Sequence, residues 1–295
     1  MENERAMTST AKPHAIADDL WSVAVPNTVG PSGQATNVYI VGRDPALLID
    51  AGSDDGGATI LFALEVLGIE RLERIVLTHA HQDHAGNAPH LRAATDARVE
   101  LHRSDFGLTG RYQVDLTVDH FLSGGDQIAV GPYQFEIIET PGHAPGHVSL
   151  YEPSLKALFA GDLLSGNGTV AVVPPRGSMG AYLDSLRRVQ THAIETIYPG
   201  HGPAILNGNE RVAQYITHRE RREEEIFQEI AGGRDTIEAI TDRLYLDVLP
   251  RIRPQAAGTV LAHVIHLVER GRVRVVDDAP PSLTTQFLVA SGVSG

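Results

Sequence analysis

The sequence predicts an α/β sandwich with a small helical module at its C-terminal end. Three observations carry this. Short runs rich in Val, Ile and Leu recur along the chain, bounded by Gly, Pro and Asp, as buried strands are. Stretches with apolar residues at helical spacing separate several of them. The order is strands, helix, strand, helix, more strands, helix, strand, which suits mixed sheets inside and helices outside. It is not strict βαβ alternation, and no Gly-rich stretch has dinucleotide-binding spacing ahead of a helix, so a Rossmann domain is set aside.

Taken in order, residues 1–18 read as a frayed leader. Strand-like runs follow at 38–41, 46–50, 74–77, 98–101, 134–139, 147–151, 157–160 and 196–198. A helix is predicted over 59–67, stopped by Gly68, and another over 179–189, where Leu183, Leu186 and Val189 share one side. Composition shifts near Ile205. Residues 210–230 contain no Pro or Gly and set Arg219, Arg221 and Arg222 against Glu223, Glu224 and Glu225, which reads as a solvated helix laced with ion pairs. Gly232-Gly233 ends it. Helical runs at 236–244 and 256–269 and the short run 273–276 complete the outline of a winged-helix module. From Asp277 the chain reads as a loosely packed tail. The expected division is a catalytic domain over 1–206, a helical winged-helix-like domain over 207–280 and a tail over 281–295.

Composition bounds the chemistry. The chain has 295 residues, enough for one large domain or a main and a small one. A formal charge of −13 weighs against nucleic acid as the natural partner, because phosphate contacts need Lys and Arg. The absence of cysteine excludes disulfides, thiolate ligands and a cysteine nucleophile, so a metal site must draw on His, Asp and Glu, and fourteen histidines are available. No stretch approaches the roughly 18 apolar residues of a membrane span, and no signal-peptide run opens the chain; a cytoplasmic protein is expected.

The chemistry concentrates in Thr78-His79-Ala80-His81-Gln82-Asp83-His84, directly after the buried strand Ile75-Val76-Leu77. A polar surface loop accounts for one or two of these residues. Three histidines and an aspartate crowded on a strand end are what a borderline cation such as zinc accepts. Thr140-Pro141-Gly142-His143, Phe159-Ala160-Gly161-Asp162 and Tyr198-Pro199-Gly200-His201-Gly202 each close a further predicted strand.

In that order these motifs resemble the metallo-β-lactamase superfamily, which implies an αββα sandwich. Residues Asn37 to Val41, Leu47 to Gly52 and the segment after Tyr198, with the winged-helix-like outline, narrow the resemblance to the lactamase-β-2-like group. The resemblance spans about 20–276. It implies two divalent metal ions, one held by His79, His81 and His143, the other by Asp83, His84 and His201, with Asp162 bridging; zinc is the first expectation, and manganese or iron(II) suits the same ligands. It further implies a bridging hydroxide attacking a carbonyl or phosphoryl centre, with Asp83 and Asp162 positioning it and taking its proton. Cysteine, a ligand in some antibiotic-hydrolysing members, is absent here, whereas Asp162 is present, which sets antibiotic hydrolysis aside.

Further residues carry two readings each. Asp50 either orients a metal-binding loop or only forms a turn. His147 either supports or contacts the site or is a satisfied structural histidine. Arg176 either anchors a substrate carboxylate or phosphate or lies on the surface; Tyr182 either donates to a substrate carbonyl or packs in the core. The remaining histidines, His14, His90, His102, His120, His192, His218, His263 and His266, read as structural or surface groups. Helix 256–269 carries few Lys or Arg, so the C-terminal module reads as a lobe beside the active site rather than a nucleic-acid binder. The expected function is therefore hydrolysis of a small-molecule thioester, ester or lactone, with a single-strand-specific endoribonuclease as the alternative. A non-enzymatic binding protein and an iron-dependent dioxygenase are disfavoured by the complete two-metal ligand set. A homodimer is compatible with the sequence.

Overall fold

The computed structural model describes residues 12–27, 33–53, 55–107, 116–276 and 281–290. Runs of apolar residues in the first half build a seven-stranded sheet of β1 (His14–Ala17), β2 (Leu20–Val25), β3 (Thr36–Val41), β4 (Ala46–Ile49), β5 (Leu72–Val76), β6 (Arg98–His102) and β7 (His120–Leu122), in that order. Pairing is antiparallel as far as β4 and parallel from β4 to β7. The second sheet holds β8 (Gln127–Val130), β9 (Tyr133–Glu139), β10 (Val148–Glu152), β11 (Ala157–Gly161), β12 (Thr196–Pro199) and β13 (Ile205–Leu206), with only β11 and β12 parallel.

Period-2 alternation divides each strand between two layers of core. In β3, Tyr39 and Val41 face the opposite sheet while Val38 and Ile40 face outward; in β11, Ala157 and Phe159 face the opposite sheet while Leu158 and Ala160 face outward. Phe159 meets Tyr39 edge-on with ring centroids 5.0 Å apart, and each such buried aromatic contributes about 1.5–3 kcal/mol. Because both faces are covered, these strands read as continuous apolar runs rather than alternating ones.

Helices α1 (Ala58–Leu67) and α3 (Ala88–Thr95) cover the first sheet through Ile60, Ala63, Leu64 and Leu91; the one-turn α2 (Gln82–Ala85) precedes α3. Helix α4 (Met179–Val189) covers the second sheet through Leu183, Leu186 and Val189. The architecture is the expected αββα sandwich.

Helix α5 (Gly208–Ala231) departs from the expected solvated helix. Its first half packs Val212 and Tyr215 against the sandwich; its second half packs Ile226, Phe227 and Ile230 against α6 (Ile237–Leu244) and α7 (Arg253–Glu269). Arg219 and Glu223, expected among the surface ion pairs, are buried. One helix thus serves both cores. Two further expectations are corrected. The leader's described end, residues 14–17, is β1, paired with β2. The tail's Phe287–Val289 forms β15, paired with β14 (Val273–Val275), and Phe287 is fully buried, which gives its backbone and side chain partners that a loose tail lacks. Among the described residues no helix is long and apolar enough to cross a membrane.

Candidate metal centre

Strands β4 and β5 run parallel, as do β11 and β12, so each pair ends at a common edge. The loops after β4, β5, β9, β11 and β12 carry Asp50, His79 to His84, His143, Asp162 and His201, and all meet at one edge of the sandwich. There the two sheets are tied: Asn37 N–H donates to Gly200 O at 2.8 Å, Asn37 Nδ2 to Pro199 O at 3.0 Å and to Gly202 O at 2.7 Å, and Tyr39 Oη to Pro199 O at 2.7 Å. Close approach sets the glycines. A Cβ on Gly200 lies 2.6 Å from His84 Cε1 and 2.9 Å from Asp162 Oδ1, and Gly142 has φ 138° with its absent Cβ 2.4 Å from the Tyr182 backbone.

Seven side chains converge. His79 Nε2 and His143 Nε2 lie 2.9 Å and 2.8 Å from His81 Nδ1. His201 Nε2 lies 3.2 Å from Asp83 Oδ2. Asp162 stands between the halves: Oδ2 is 3.4 Å from His143 Nε2, while Oδ1 is 3.4 Å from His84 Nε2 and 3.6 Å from His201 Nε2. The ligand-capable atoms of His79, His81 and His143 lie within 4.8 Å of one another, as do those of Asp83, His84 and His201, and of His79, His84 and Asp162.

The outward-facing nitrogens are held. His84 Nδ1 is 2.8 Å from Asp50 Oδ2, His143 Nδ1 is 2.8 Å from Ala171 O, and His201 Nδ1 is 3.0 Å from Ala35 O. His79 Nδ1 is 3.1 Å from Thr78 Oγ1, whose hydroxyl also reaches Asp50. A partner that accepts the Nδ1 proton leaves Nε2 a free lone pair. Those lone pairs face one another across short distances, and the buried His84 Nε2 has no hydrogen bond. Imidazole nitrogens and carboxylates so arranged fit divalent cations, and the all His/Asp donor set suits zinc, manganese and iron(II) alike.

Electrostatics agree with that fit. Burial, then the neighbouring imidazoles of His84 and His81, hold His79 well below the ordinary histidine range. Burial and His143 push His81 down to about 3. His84 goes the other way: burial opposes its charge, yet Asp50 and Asp162 carry it well above the ordinary value. At Asp83 burial is outweighed by the His201 hydrogen bond and the His84 charge, which bring the carboxyl to about 2. Asp162 is likewise well below the carboxylate range, burial being outweighed by His201 and His84. Two carboxylates therefore stay ionised, balanced in the metal-free chain by protons on His84 and His201, which a bound cation would displace.

The supporting residues sort by contact. Asp50, at φ 60°, accepts from Thr78 N–H at 2.8 Å as well as from His84. His147 is buried; its Nε2 accepts the Asp162 N–H at 2.9 Å and its Nδ1 faces Thr140 Oγ1 at 2.8 Å, so both ring nitrogens are engaged and it fixes the Asp162 backbone. Tyr182 is corrected as a substrate donor: it is fully buried and its hydroxyl donates to Leu163 O at 2.6 Å. Arg176 lies half-buried on the segment between Asp162 and α4. Asp105 went unnoticed in the sequence. Its carboxylate accepts Ala80 N–H at 2.9 Å and Gly146 N–H at 2.6 Å, clamping two ligand loops together. A lone Asp three residues past a strand carries no motif, so only the fold exposes it.

Residues 31–201 match the model of the metallo-beta-lactamase superfamily, and residues 236–280 match that of the beta-lactamase associated winged helix domain. The chain belongs to the metallo-beta-lactamase superfamily and is a hydrolase of that class. It is 31% identical to a beta-lactamase-like protein 2 homolog of Caenorhabditis elegans, over 77% of this chain and 76% of that one. It is also 31% identical to an atrochrysone carboxyl ACP thioesterase of Aspergillus fumigatus, over 74% of this chain and 72% of that one. A metallo-beta-lactamase family protein from Thermus thermophilus shares the fold at a TM-score of 0.77 and 21% identity, over 93% of this chain and all of the other. The resemblance read from the motifs to the lactamase-β-2-like group, and the winged-helix outline, stand.

Proposed function

We propose that the chain is a binuclear metal-dependent hydrolase of a small-molecule thioester, ester or lactone. The observation that carries the reading is Asp162, whose two carboxylate oxygens face opposite halves of a six-residue ligand set. His79, His81 and His143 would hold one divalent ion, most simply zinc; Asp83, His84 and His201 would hold the other; Asp162 would join them.

Bound there, two ions supply Lewis acidity and a water ionised near neutral pH. The chain supplies the rest. Asp50, Thr78, Ala35 and Ala171 hold the imidazoles in the tautomer that offers Nε2. His147 and Asp105 fix the loops. Asp83 and Asp162, ionised throughout the neutral range, would orient the attacking water, and Asp83 would accept its proton. Asn27 Nδ2 donates to Asp83 Oδ2 at 3.2 Å and helps to set the orientation of that carboxylate. The thioesterase relative and the acidic charge favour a carbonyl substrate. The endoribonuclease reading has the winged-helix module in its favour, but the middle of α7 is buried, and a helix packed in this way offers little face to a nucleic-acid groove.

The test is turnover of acyl-coenzyme A and aryl thioesters by zinc-loaded protein, with His81→Ala as the blank. Cleavage well above the blank supports the reading. No cleavage, with two zinc ions bound, overturns the carbonyl assignment and makes a labelled single-stranded RNA the next substrate.

A further inference from the structure

The C-terminal helices reach the metal centre through three consecutive residues. Val170, Ala171 and Val172 run past the site between β11 and α4. Ala171 O faces inward and holds His143 Nδ1 at 2.8 Å. The groups on either side of it face outward, toward the helices. Val170 O accepts from the guanidinium of Arg219 on α5, and Val172 N–H donates to Thr259 Oγ1 on α7 at 3.2 Å. The Thr259 hydroxyl in turn donates to Gln255 O at 2.9 Å, so its oxygen is oriented to accept. The packing allows little slack: a Cβ on Gly258 would lie 2.8 Å from Val173 Cγ1.

Arg219 is an expensive residue to place here. It is 1% exposed and its guanidinium stands over the Tyr182 ring, 5.2 Å from the centroid. Burying a guanidinium is costly unless its hydrogen-bonding geometry is well used, and an apolar residue would fill the same gap for less. What the guanidinium supplies that an apolar side chain does not is a donor to Val170 O, one residue from the carbonyl that sets His143.

We infer that Arg219 and Thr259 are positioning residues for His143, so that the C-terminal module is a structural part of the metal centre. Together they fix the Ala171 carbonyl, which holds the His143 ring with its proton on Nδ1 and its lone pair on Nε2. The inference rests on the metal reading above for its consequence, and on hydrogen bonds of the chain alone for its geometry.

The experiment compares Thr259→Val, Arg219→Met, Thr259→Ser and Ile240→Ala with the wild-type full chain. Ile240 is buried in the C-terminal core away from the 170–172 segment, so its variant controls for lost stability. Zinc affinity is read by chelator competition, the His143 tautomer by nitrogen-15 NMR of the zinc-free protein, and folding by thermal melting. Residues that orient a metal ligand typically change metal affinity 10–100-fold. The expected result is one of two zinc sites weakened about 10-fold or more in Thr259→Val and Arg219→Met, the other site unchanged, rescue in Thr259→Ser, and wild-type affinity in Ile240→Ala despite a lower melting temperature. Wild-type affinity and a single Nδ1–H tautomer in both Thr259→Val and Arg219→Met overturn the inference, as does equal weakening in Ile240→Ala. If the wild-type chain binds no zinc, the metal reading fails, and the NMR decides alone: loss of the tautomer in Thr259→Val upholds the positioning role and its retention ends it.

Discussion

Asp50→Asn changes one atom and exposes how the centre is held. Asp50 is acceptor-only: Oδ1 takes Thr78 N–H at 2.8 Å, Oδ2 faces His84 Nδ1 at 2.8 Å, and Thr78 Oγ1 lies 3.0 and 2.9 Å from the two oxygens. An asparagine of the same shape replaces one oxygen by NH2. If the nitrogen faces Thr78, two donors meet in a buried site, at a cost of about 1–3 kcal/mol. If it faces His84, the imidazole can adapt by moving its proton to Nε2, which the backbone of Thr78 cannot do. The second arrangement therefore wins, and His84 loses the lone pair aimed at Asp162. The Asp83, His84 and His201 site should bind zinc about 10–100-fold more weakly, while the His79, His81 and His143 site keeps its ion. Metal content after dialysis against a buffered zinc concentration between the two affinities reads this directly: two ions per wild-type chain, one per variant. Two ions at unchanged affinity in Asp50→Asn would refute the tautomer argument.

Three other perturbations follow the same logic. Gly200→Ala places a Cβ against His84 and Asp162, so zinc binding should fall at least 10-fold while far-ultraviolet circular dichroism stays native; full metal content would show that the loop relaxes without cost. Asp105→Ala strands the N–H groups of Ala80 and Gly146 and should lower unfolding free energy by about 2–6 kcal/mol in urea titration; an unchanged value would show that water replaces the carboxylate at no cost. His263 lies buried beside Glu223, and burial lowers it to about 4. The unfolded chain takes up that proton near pH 6.5 and the folded chain only near 4, so this group's stability is present above pH 6.5 and is lost as pH falls toward 4, by about 3 kcal/mol at most. His263→Leu should flatten the acid limb of the metal-free protein's stability profile; an identical limb would assign it to other groups.

Local chemistry is what the sequence displays well. The eight strand-like runs and the helices at 59–67 and 179–189 are found within a few residues, because continuous apolar runs and Gly68 leave little choice of structure. The seven converging side chains stand in motifs at strand ends, so their order along the chain already announces them. Contacts between distant segments are what it hides. Asp105, the Ala171 carbonyl and the Ala35 carbonyl act on residues 25 to 166 positions away and carry no spacing signal. Arg219 and Glu223 look like surface ion pairs because helix periodicity cannot say which face a second domain will cover. Phe287 looks like a tail residue because strand β15 is three residues long and finds its partners, β14 and the Asp235 carbonyl, well back along the chain.

The central claim is that this edge of the sandwich holds two cations through one shared carboxylate. Its most direct test is metal content per chain, by mass spectrometry, after zinc loading and gel filtration, for the wild type and Asp162→Ala. The account predicts two zinc ions in the wild type and at most one in the variant. Fewer than two in the wild type, or two in both, would contradict it.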